Sequence, residues 1–308
     1  LSRYTCYRQF RSSSVKIKIP ATSANLGPGF DCLGLALSLY NEVVIKPSSY
    51  QSISVKGEGE DNVKLKKNNI FISIFNDIYQ ELVGKKDLFR FEFQNNIPFS
   101  RGLGSSSAVI VGAIASAYEM AGVKATKEII LNKAILYETH PDNIAPAVYG
   151  GFTSSIVENG KVKTLKKNLS DEIQAVMVIP DRSMSTAQSR TQLPKSYMMK
   201  NVVYNLSHAS FLSAAFFSEN WDHLRSASKD CMHEHRRMKQ MRELFDVREV
   251  ALKNGALMST LSGSGSSFFN LTKAEDASKL ASIFKNNFPM FRVEVFTFDN
   301  DGFTIIKS

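Results

Sequence analysis

Residues 98–108 read PFSRGLGSSSA, and an apolar run that predicts a helix follows them directly. Glycine lets a backbone approach a ligand closely, and the first turn of a helix offers unpaired N–H groups with a partial positive charge. Three consecutive serines add hydroxyls that suit phosphate oxygens or a metal ion. The stretch therefore predicts a phosphate-binding loop, with a serine-capped helix after a glycine turn as the alternative. The common phosphate loop, GxxxxGK followed by Ser or Thr, occurs nowhere in the chain.

Three further segments concentrate glycine and polar residues at predicted turns. Residues 20–34, PATSANLGPGFDCLG, follow a predicted strand and place Asn25 and Asp31 in a turn. Residues 138–147, ETHPDNIAPA, crowd charged and polar side chains at a junction between helices. Residues 261–269, LSGSGSSFF, predict a strand, a turn and a second strand. Taken singly, each is also explained by ordinary turn residues, a helix cap after proline, or a glycine hairpin.

The periodic patterns predict two α+β domains. Short segments rich in β-branched and aromatic residues predict strands at 15–19, 35–45, 52–55, 89–93, 175–179, 256–261, 268–271 and 292–298. Apolar residues at 70, 74, 78 and 82 predict an amphipathic helix, and further helices are predicted at 106–120, 127–137, much of 185–253, and 274–288. The polar, lysine-rich stretch 158–167 predicts a linker or hairpin between the domains. We expect a ligand cleft where the domains meet, reached by residues 20–34, 98–108 and 261–269.

The composition is that of a globular protein with a basic surface. The chain has 308 residues, of which 43% are hydrophobic, so it can bury a large core. Its net charge of +9 comes from basic residues that are spread along the chain and interleaved with acids. This pattern favours a generally basic surface or a field that attracts an anionic substrate such as ATP. We therefore expect no nucleic-acid partner.

Cysteine usage and the absence of long apolar runs predict a cytoplasmic location. Cys6, Cys32 and Cys231 are an odd number and form no CxxC pair, which is typical of a reduced intracellular protein. The apolar run at 108–117 is too short to span a bilayer, so no membrane partner is expected. Residues 1–14 carry three arginines and no acidic residue, and we interpret them as an extension or tag.

In this order, the four segments resemble the GHMP kinase superfamily, named for galacto-, homoserine, mevalonate and phosphomevalonate kinases. Residues 20–34 and 138–147 resemble the homoserine kinases in particular, although Thr139 stands where that family usually has Gly and Ser266 where it usually has Pro. The resemblance implies an α+β fold with an N-terminal ribosomal-S5-like ATP-binding domain over 15–160 and a C-terminal ferredoxin-like domain over 161–308. It also implies phosphorylation of L-homoserine by ATP with Mg²⁺, on the route to threonine, and allows a homodimer.

The resemblance assigns roles at the nucleotide end. Asn69 matches a position that contacts adenine. The residues around the ATP phosphates would be Pro98, Ser100, Arg101, Gly102, Leu103, Gly104, Ser105, Ser106 and Ser107. Ser106 and Glu138 match the pair that holds Mg²⁺, a hard ion that prefers oxygen ligands. Both are therefore expected to be catalytic.

The resemblance also assigns roles at the amino-acid end. Asn25, Asp31 and His140 match positions around the amino group of homoserine, and Asn143 matches the catalytic residue that hydrogen-bonds the reacting hydroxyl. The substrate carboxylate calls for arginine, whose guanidinium offers two parallel donors. Arg190, with Thr186 nearby, and Arg237, preferred over Arg236, match these positions.

Three questions stay open at the level of sequence. The substrate proton could pass to Asp142 or to the γ-phosphate itself. Cys231, His233, Glu234 and His235 lack the spacing of a metal site, and we interpret them as a partly exposed helix face. The alternatives to homoserine kinase are a sibling kinase with another hydroxyl substrate and a non-catalytic small-molecule sensor.

Overall fold

The computed structural model describes residues 14–307, which form two β-sheets and the helices that pack on them. The strands are β1 (Val15–Ala24), β2 (Leu33–Pro47), β3 (Ser52–Gly57), β4 (Phe89–Asn95), β5 (Phe152–Glu158), β6 (Lys161–Lys167), β7 (Ile173–Ile179), β8 (Met258–Leu261), β9 (Phe268–Lys273), β10 (Arg292–Phe296) and β11 (Thr304–Lys307). The α-helices are α1 (Val63–Lys67), α2 (Ile70–Val83), α3 (Ser105–Met120), α4 (Lys127–Ala134), α5 (Pro141–Tyr149), α6 (Thr186–Thr191), α7 (Met199–Phe217), α8 (Leu224–Ala227), α9 (Glu234–Met238), α10 (Glu243–Lys253) and α11 (Ala274–Asn287), with a 3₁₀ turn at Trp221–His223. The expected α+β class is confirmed.

The first sheet takes its strands from both ends of the described chain. Its seven strands run in the order β11-β1-β2-β4-β3, and the hairpin β5–β6 joins at β2. The pair β3–β4 is parallel, while β1 pairs antiparallel with β11 and with β2. Along β1, Ile17 and Ile19 are buried while Lys16 and Lys18 are half-buried, as the two-residue period of a strand requires.

Helices α2 and α3 cover this sheet. The predicted stripe of α2 is buried at Ile74 and Ile78, and Phe75 packs edge-on against Phe89 and other strand aromatics. The first residue of the stripe departs from this burial. Ile70 is 67% exposed, because the helix begins there, at the rim of a cleft. Helix α3 is buried along nearly its whole length, so the loop at its N-terminus is anchored in the core.

The second sheet is smaller and wholly antiparallel. Its order is β10-β7-β9-β8. Helices α10 and α11 pack against it, and the resulting core includes Val176, Leu244, Phe268 and Phe284. This sheet carries the turn between β8 and β9 toward the first sheet.

The sheets divide the chain differently from the predicted boundary at residue 160. Strand β6 continues the β5 hairpin and therefore belongs to the first sheet. Strand β11, which the sequence did not predict, returns to pair with β1. Both lie in the range assigned to the second domain. Residues 158–167 include the turn and second strand of a hairpin, one of the two predicted possibilities, but that strand stays in the first sheet. The pairing of β11 with β1 joins distant segments, and such pairing leaves no periodic signal in a local stretch of sequence. Residues 1–13 of the predicted extension, with Cys6, lie outside the described residues.

Helix α4 ends three residues earlier than predicted, at Ala134, and β10 ends at Phe296 rather than 298. The helical stretch expected over 185–253 consists of five α-helices and the 3₁₀ turn. Within residues 14–307, no helix combines the length and the apolar character needed to cross a membrane.

Candidate active site

A cleft of about 610 Å³ lies where the first sheet and its helices meet the second. Its lining contains nearly all of the predicted site residues: Asn25, Asp31, Asn69, Ser100, Arg101, Gly102, Leu103, Gly104, Ser105, Ser106, Ser107, Glu138, His140, Asn143, Thr186, Arg190 and Arg237. Pro98 is buried and does not line the cleft, whereas the next residue, Phe99, does. The expectation that the glycine-rich segments meet in one cleft is confirmed.

The loop before α3 is held against two other segments by close backbone contacts. Ser262 Oγ donates to Gly102 O at 2.6 Å, and the backbone N–H of Thr22 donates to Leu103 O at 3.1 Å. Gly102 and Gly104 have φ values of +76° and +67°, in the left-handed region that favours glycine. A Cβ on Gly102 would lie 2.1 Å from Ser262 O. These glycines are therefore required by both conformation and space.

Arg101 fastens the same loop to the end of β7. Its Nε donates to Pro180 O at 2.9 Å, and its Nη2 donates to Asp181 O at 2.6 Å. The backbone N–H of Ser267 donates in turn to Arg101 O at 2.9 Å. Arg101 thus links the loop to the β8–β9 turn as well, so it has a structural task besides the predicted contact with ATP.

Glu138 faces the first turn of α3. Ser107 Oγ donates to Glu138 Oε2 at 2.6 Å, so the direct hydrogen-bond partner of the carboxylate is Ser107, while Ser106 is the residue predicted to share a metal ion with Glu138. Ser107 is buried, whereas Ser106 is exposed and lines the cleft. Burial raises the pKa of Glu138, and the hydrogen bond from Ser107 opposes that shift. A hydroxyl and a carboxylate therefore stand at the helix N-terminus.

The predicted amino-group site is built around Asp31. Arg190 donates to it through two parallel bonds, Nη1 to Oδ2 at 3.0 Å and Nη2 to Oδ1 at 2.8 Å. His140 Nε2 lies 3.5 Å from Asp31 Oδ2. Asn25 accepts from the backbone N–H of Asp31 at 3.0 Å and donates to Gly263 O at 2.9 Å. Asn25 therefore positions Asp31 against the β8–β9 turn.

Arg237 reaches the cleft from the buried side of α9. It is 1% exposed, whereas Arg236 is exposed on the opposite side, and only Arg237 of the two lines the cleft. Its Nη1 donates to Gly263 O at 3.2 Å. The guanidinium carbons of Arg237 and Arg190 each lie 5.1 Å from the centre of the Phe30 ring. Two cations thus share one aromatic contact at this end of the cleft.

Asn143 and Asp142 join the two ends of the cleft. Thr22 Oγ1 donates to Asn143 Oδ1 at 2.7 Å, which leaves the amide NH₂ of Asn143 as its donor group. The same Oδ1 would be 3.2 Å from a Cβ on Gly104, so Asn143 lies beside the predicted phosphate loop. Burial raises the pKa of Asp142 to about 7, with smaller contributions from the negative charges of Asp31 and Glu138.

Asn69 caps α2 at the other end of the cleft. Its Oδ1 accepts from the backbone N–H of Ile72 at 3.4 Å, so its amide NH₂ is the group left for a ligand. The walls here are largely apolar and include Val55, Leu65 and Phe93. At the amino-acid end, Thr186 Oγ1 lies 3.1 Å from Ser264 Oγ in the β8–β9 turn.

The interpretation of residues 231–235 as a partly exposed helix face is wrong for two of them. His233 and Glu234 are buried, because His233 lies against Gly27 and Phe30 and Glu234 lies against the end of β8. Glu234 Oε1 accepts from the backbone N–H of Leu261 at 2.6 Å, and Oε2 accepts from Arg248 at 2.5 Å. Among residues 14–307, no group of three or more His, Cys, Asp or Glu side chains is arranged to hold a metal ion.

Sequence reasoning also missed Thr22, Phe30 and His233 as parts of this site. Thr22 and Phe30 lie within the segment 20–34, whose glycine and polar pattern marks a turn without indicating which side chains face inward. His233 carries no signal beyond its closeness to Arg237. Only the packing of α9 against residues 25–31 reveals it.

Comparison with known proteins places both halves of the chain in one family. The model of the GHMP kinase N-terminal domain matches residues 69–151, and the model of the GHMP kinase C-terminal domain matches residues 212–289. Among solved structures, homoserine kinase from Cytophaga hutchinsonii has a TM-score of 0.86 at 28% identity, covering 97% of this chain and 99% of that one. Mevalonate diphosphate decarboxylase from Enterococcus faecalis, with a TM-score of 0.68 at 13% identity over 96% of this chain and 99% of that one, shares the fold.

Curated relatives are similar over nearly their full length. Homoserine kinase of Campylobacter concisus is 64% identical over 294 residues, 96% of this chain and 100% of that protein. Homoserine kinase of a Nitratiruptor species is 60% identical over 289 residues, 94% of this chain and 99% of that protein. The two-domain α+β fold is thus that of the GHMP kinases, and the chain belongs to the homoserine kinase family within them.

Proposed function

We propose that the protein transfers the γ-phosphoryl group of ATP to the side-chain hydroxyl of L-homoserine, giving O-phospho-L-homoserine and ADP. The observation that carries the proposal is the cleft itself. It combines a phosphate loop at a helix N-terminus with the Asp31–Arg190 pair, whose opposite charges match the two ends of an amino acid. Asn143 touches the phosphate loop and adjoins Asp142, beside Asp31. The relatives named homoserine kinase support the same assignment.

The nucleotide end would take ATP with its base against the apolar wall and its phosphates on the loop. Val55, Leu65 and Phe93 offer flat or branched apolar contacts for a purine, and the amide NH₂ of Asn69 offers a donor. Residues 102–107 would surround the phosphates with backbone N–H groups at the start of α3. Phosphoryl transfer at such a site would need positioning and charge neutralisation rather than covalent help from the protein.

The donor set fits Mg²⁺. A carboxylate and hydroxyls are hard oxygen ligands, and Mg²⁺ is commonly bound through one or two carboxylates together with substrate phosphates and water. Ser106 and Glu138 would hold the ion, which when bound would neutralise negative charge on the phosphates. The hydrogen bond from Ser107 orients the Glu138 carboxylate toward the start of α3.

Homoserine would bind at the amino-acid end by replacing the ion pair between Asp31 and Arg190 with two ion pairs, one between Asp31 and the ammonium and one between Arg190 and the carboxylate. The substrate ammonium would take a place on Asp31, beside His140, and the carboxylate would take Arg190 and Arg237. Thr186 would contribute a hydroxyl nearby. Because the site already contains both charges, a ligand that lacks either end would leave a charge without a partner.

Asn143 would orient the reacting hydroxyl. Its Oδ1 accepts from Thr22, so its amide NH₂ would donate to the hydroxyl oxygen of homoserine. The other lone pair of that hydroxyl oxygen would then be directed at the γ-phosphorus. The hydroxyl proton then goes either to Asp142 or to an oxygen of the transferred group. Asp142→Asn separates the two: a loss of kcat of about 100-fold or more identifies Asp142 as the base, and retained kcat assigns the proton to the phosphoryl oxygens.

A coupled ADP-release assay tests the proposal. With Mg·ATP, we expect turnover with L-homoserine and little with mevalonate, galactose or threonine. Turnover with another alcohol in place of homoserine would favour the sibling kinase. ATP or homoserine binding without turnover of any of these substrates would favour the sensor.

We further propose that the protein works in the cytoplasm and acts in threonine biosynthesis, and the family resemblance allows a homodimer. The odd number of cysteines, without a CxxC pair, and the choice of ATP as donor support the location. Light scattering coupled to size exclusion would distinguish a monomer of 34.3 kDa from a dimer of twice that mass. A single species at the monomer mass would exclude the dimer.

A further inference from the structure

A buried histidine lies behind the amino-acid end of the cleft, and the mechanism above gives it no task. The side chain of His233 is fully buried, at the start of α9. Its Nε2 lies 2.7 Å from Gly27 O, and its Nδ1 lies 3.3 Å from Arg237 Nη1. It therefore connects the turn that carries Asp31 with the buried arginine of the carboxylate site.

These two contacts determine the tautomer of the ring. A carbonyl oxygen can only accept, so Nε2 must carry the proton that is shared with Gly27 O. A guanidinium can only donate, so Nδ1 must offer its lone pair to Arg237. Burial lowers the pKa of His233, and the neighbouring Arg237 lowers it further, while Asp230 opposes both. The ring is therefore neutral at neutral pH, with one donor and one acceptor, each matched by its partner.

Arg237 needs such a partner because it is a buried cation with few others. Its Nη1 also donates to Gly263 O at 3.2 Å, and its Nε has no hydrogen-bond partner among the described residues. It also lies over the face of Phe30, whose ring is 5.0 Å from the His233 ring, and it feels the negative charges of Asp31, Asp142 and Asp230. Without an acceptor at His233, the guanidinium could turn about its last side-chain bonds.

We propose that His233 is a positioning residue for the substrate carboxylate: as a neutral acceptor it fixes the guanidinium of Arg237, and through Gly27 it holds that cation at a constant separation from Asp31. The proposal rests on the homoserine kinase activity proposed above, which assigns Arg237 to the carboxylate. His233 itself touches neither substrate. Its effect should therefore appear in homoserine binding, and only while Arg237 is present.

A double-mutant cycle tests this coupling. His233→Gln keeps an amide N–H near the position of Nε2 but has no acceptor at the position of Nδ1 that faces Arg237, and Arg237→Met removes the guanidinium but keeps much of its length. We expect His233→Gln to raise the KM for homoserine about 10-fold, the scale of a lost hydrogen bond to a charged group, with kcat and the KM for ATP within about twofold. In the Arg237→Met background the same change should add less than about twofold. Equal effects in the two backgrounds, or an equal rise in the KM for ATP, would overturn the proposal.

Two controls protect the test from misfolding and from failure of the proposed function. His233→Asn keeps an acceptor near the position of Nδ1, so it should retain more homoserine affinity than His233→Gln, and thermal unfolding checks that both variants fold. Nitrogen-15 NMR of the unsubstituted protein, with His233 assigned through its backbone, should show a bare Nδ1 and a protonated Nε2 at pH 7.5. A protonated Nδ1 would refute the proposal whatever the activity. Absence of homoserine turnover by the unsubstituted protein refutes instead the function on which it rests.

Discussion

Arg190 and Asp31 form a bidentate ion pair across the end of the cleft that is proposed to bind the amino acid, with Nη–Oδ distances of 3.0 and 2.8 Å. They are 159 residues apart in the chain and come from α6 and from the turn before β2. Both groups are partly exposed to the cleft, so a ligand can reach them. In the absence of substrate, Arg190 gives Asp31 the positive charge that the homoserine ammonium is proposed to provide. Asp31 likewise gives Arg190 the negative charge that the homoserine carboxylate is proposed to provide.

Removing the side chain of Arg190 should reduce kcat/KM for homoserine while leaving the KM for ATP nearly unchanged. Bound homoserine would shield the pair between Arg190 and the substrate carboxylate from water. Truncating one partner of such a desolvated charge pair typically costs about 2–5 kcal/mol, so Arg190→Ala should lower kcat/KM for homoserine by about 30-fold or more. The KM for ATP should stay nearly constant, because the residue lies at the other end of the cleft. Steady-state kinetics measures both, and Arg236→Ala, at an exposed arginine, is the control. Impaired ATP binding with normal homoserine kinetics would move Arg190 to the nucleotide site.

Removing an oxygen ligand at the start of α3 should slow turnover. Ser106→Ala and Glu138→Gln should each lower kcat about 10²-fold or more and raise the Mg²⁺ concentration needed for half-maximal rate, because both would contact the ion. Homoserine binding should change little. Ser107→Ala should have a smaller effect, since its hydroxyl orients Glu138 rather than meeting the ion. Normal turnover of the first two variants at saturating Mg·ATP would remove them from the metal site.

A side chain at Gly104 should be poorly tolerated. Its Cβ would lie 1.9 Å from Thr22 Oγ1, in addition to the cost of a left-handed conformation, about 1–2 kcal/mol for a residue other than glycine. Gly122→Ala is the matched control, because Gly122 has φ +69° with no heavy atom within 4 Å of the added Cβ. Denaturant unfolding should show a larger decrease in the free energy of unfolding for Gly104→Ala than for Gly122→Ala. Equal losses would mean that the loop simply shifts away from Thr22.

The unfolding free energy should depend on pH through Asp142. Burial raises its pKa to about 7 from the usual value of 3.8, so between these values the folded protein holds a proton that the unfolded chain releases. Stability therefore falls as pH rises through this window, by at most about 1.4 kcal/mol per pH unit for one group. Glu234, whose pKa burial also raises to about 7, acts in the same direction.

Asp142→Asn should remove part of that pH dependence. Its unfolding free energy should approach that of the unsubstituted protein as the pH falls to 3.8 and below, where Asp142 becomes protonated in the unfolded chain as well as in the folded protein, and exceed it near pH 8, where the buried charge destabilises the fold. Urea unfolding at a series of pH values, without substrates, provides the measurement. Identical slopes in the two proteins would show that Asp142 does not titrate in this range.

Local patterns in the sequence were enough for most of the helices and strands and for the glycine turn that leads into α3. Glycine and serine spacing in 98–108 reports a conformation and a helix start that depend on neighbouring residues alone. The four-residue spacing that ends at Leu82 likewise predicts α2, because the helix period is local. The alternation of Ile17 and Ile19 with lysines marks β1 for the same reason.

Tertiary structure alone decided which side chains meet. Nothing near Ser107 in the sequence favours it over Ser106 as the partner of Glu138; the choice depends on how α3 is turned against α5. Similarly, the packing of α9 selects Arg237 over Arg236. The return of β11 to β1 and the burial of His233 behind Asp31 are contacts between distant segments. Such contacts depend on how the whole chain closes its loops and buries its apolar faces, and no short window of residues records that outcome.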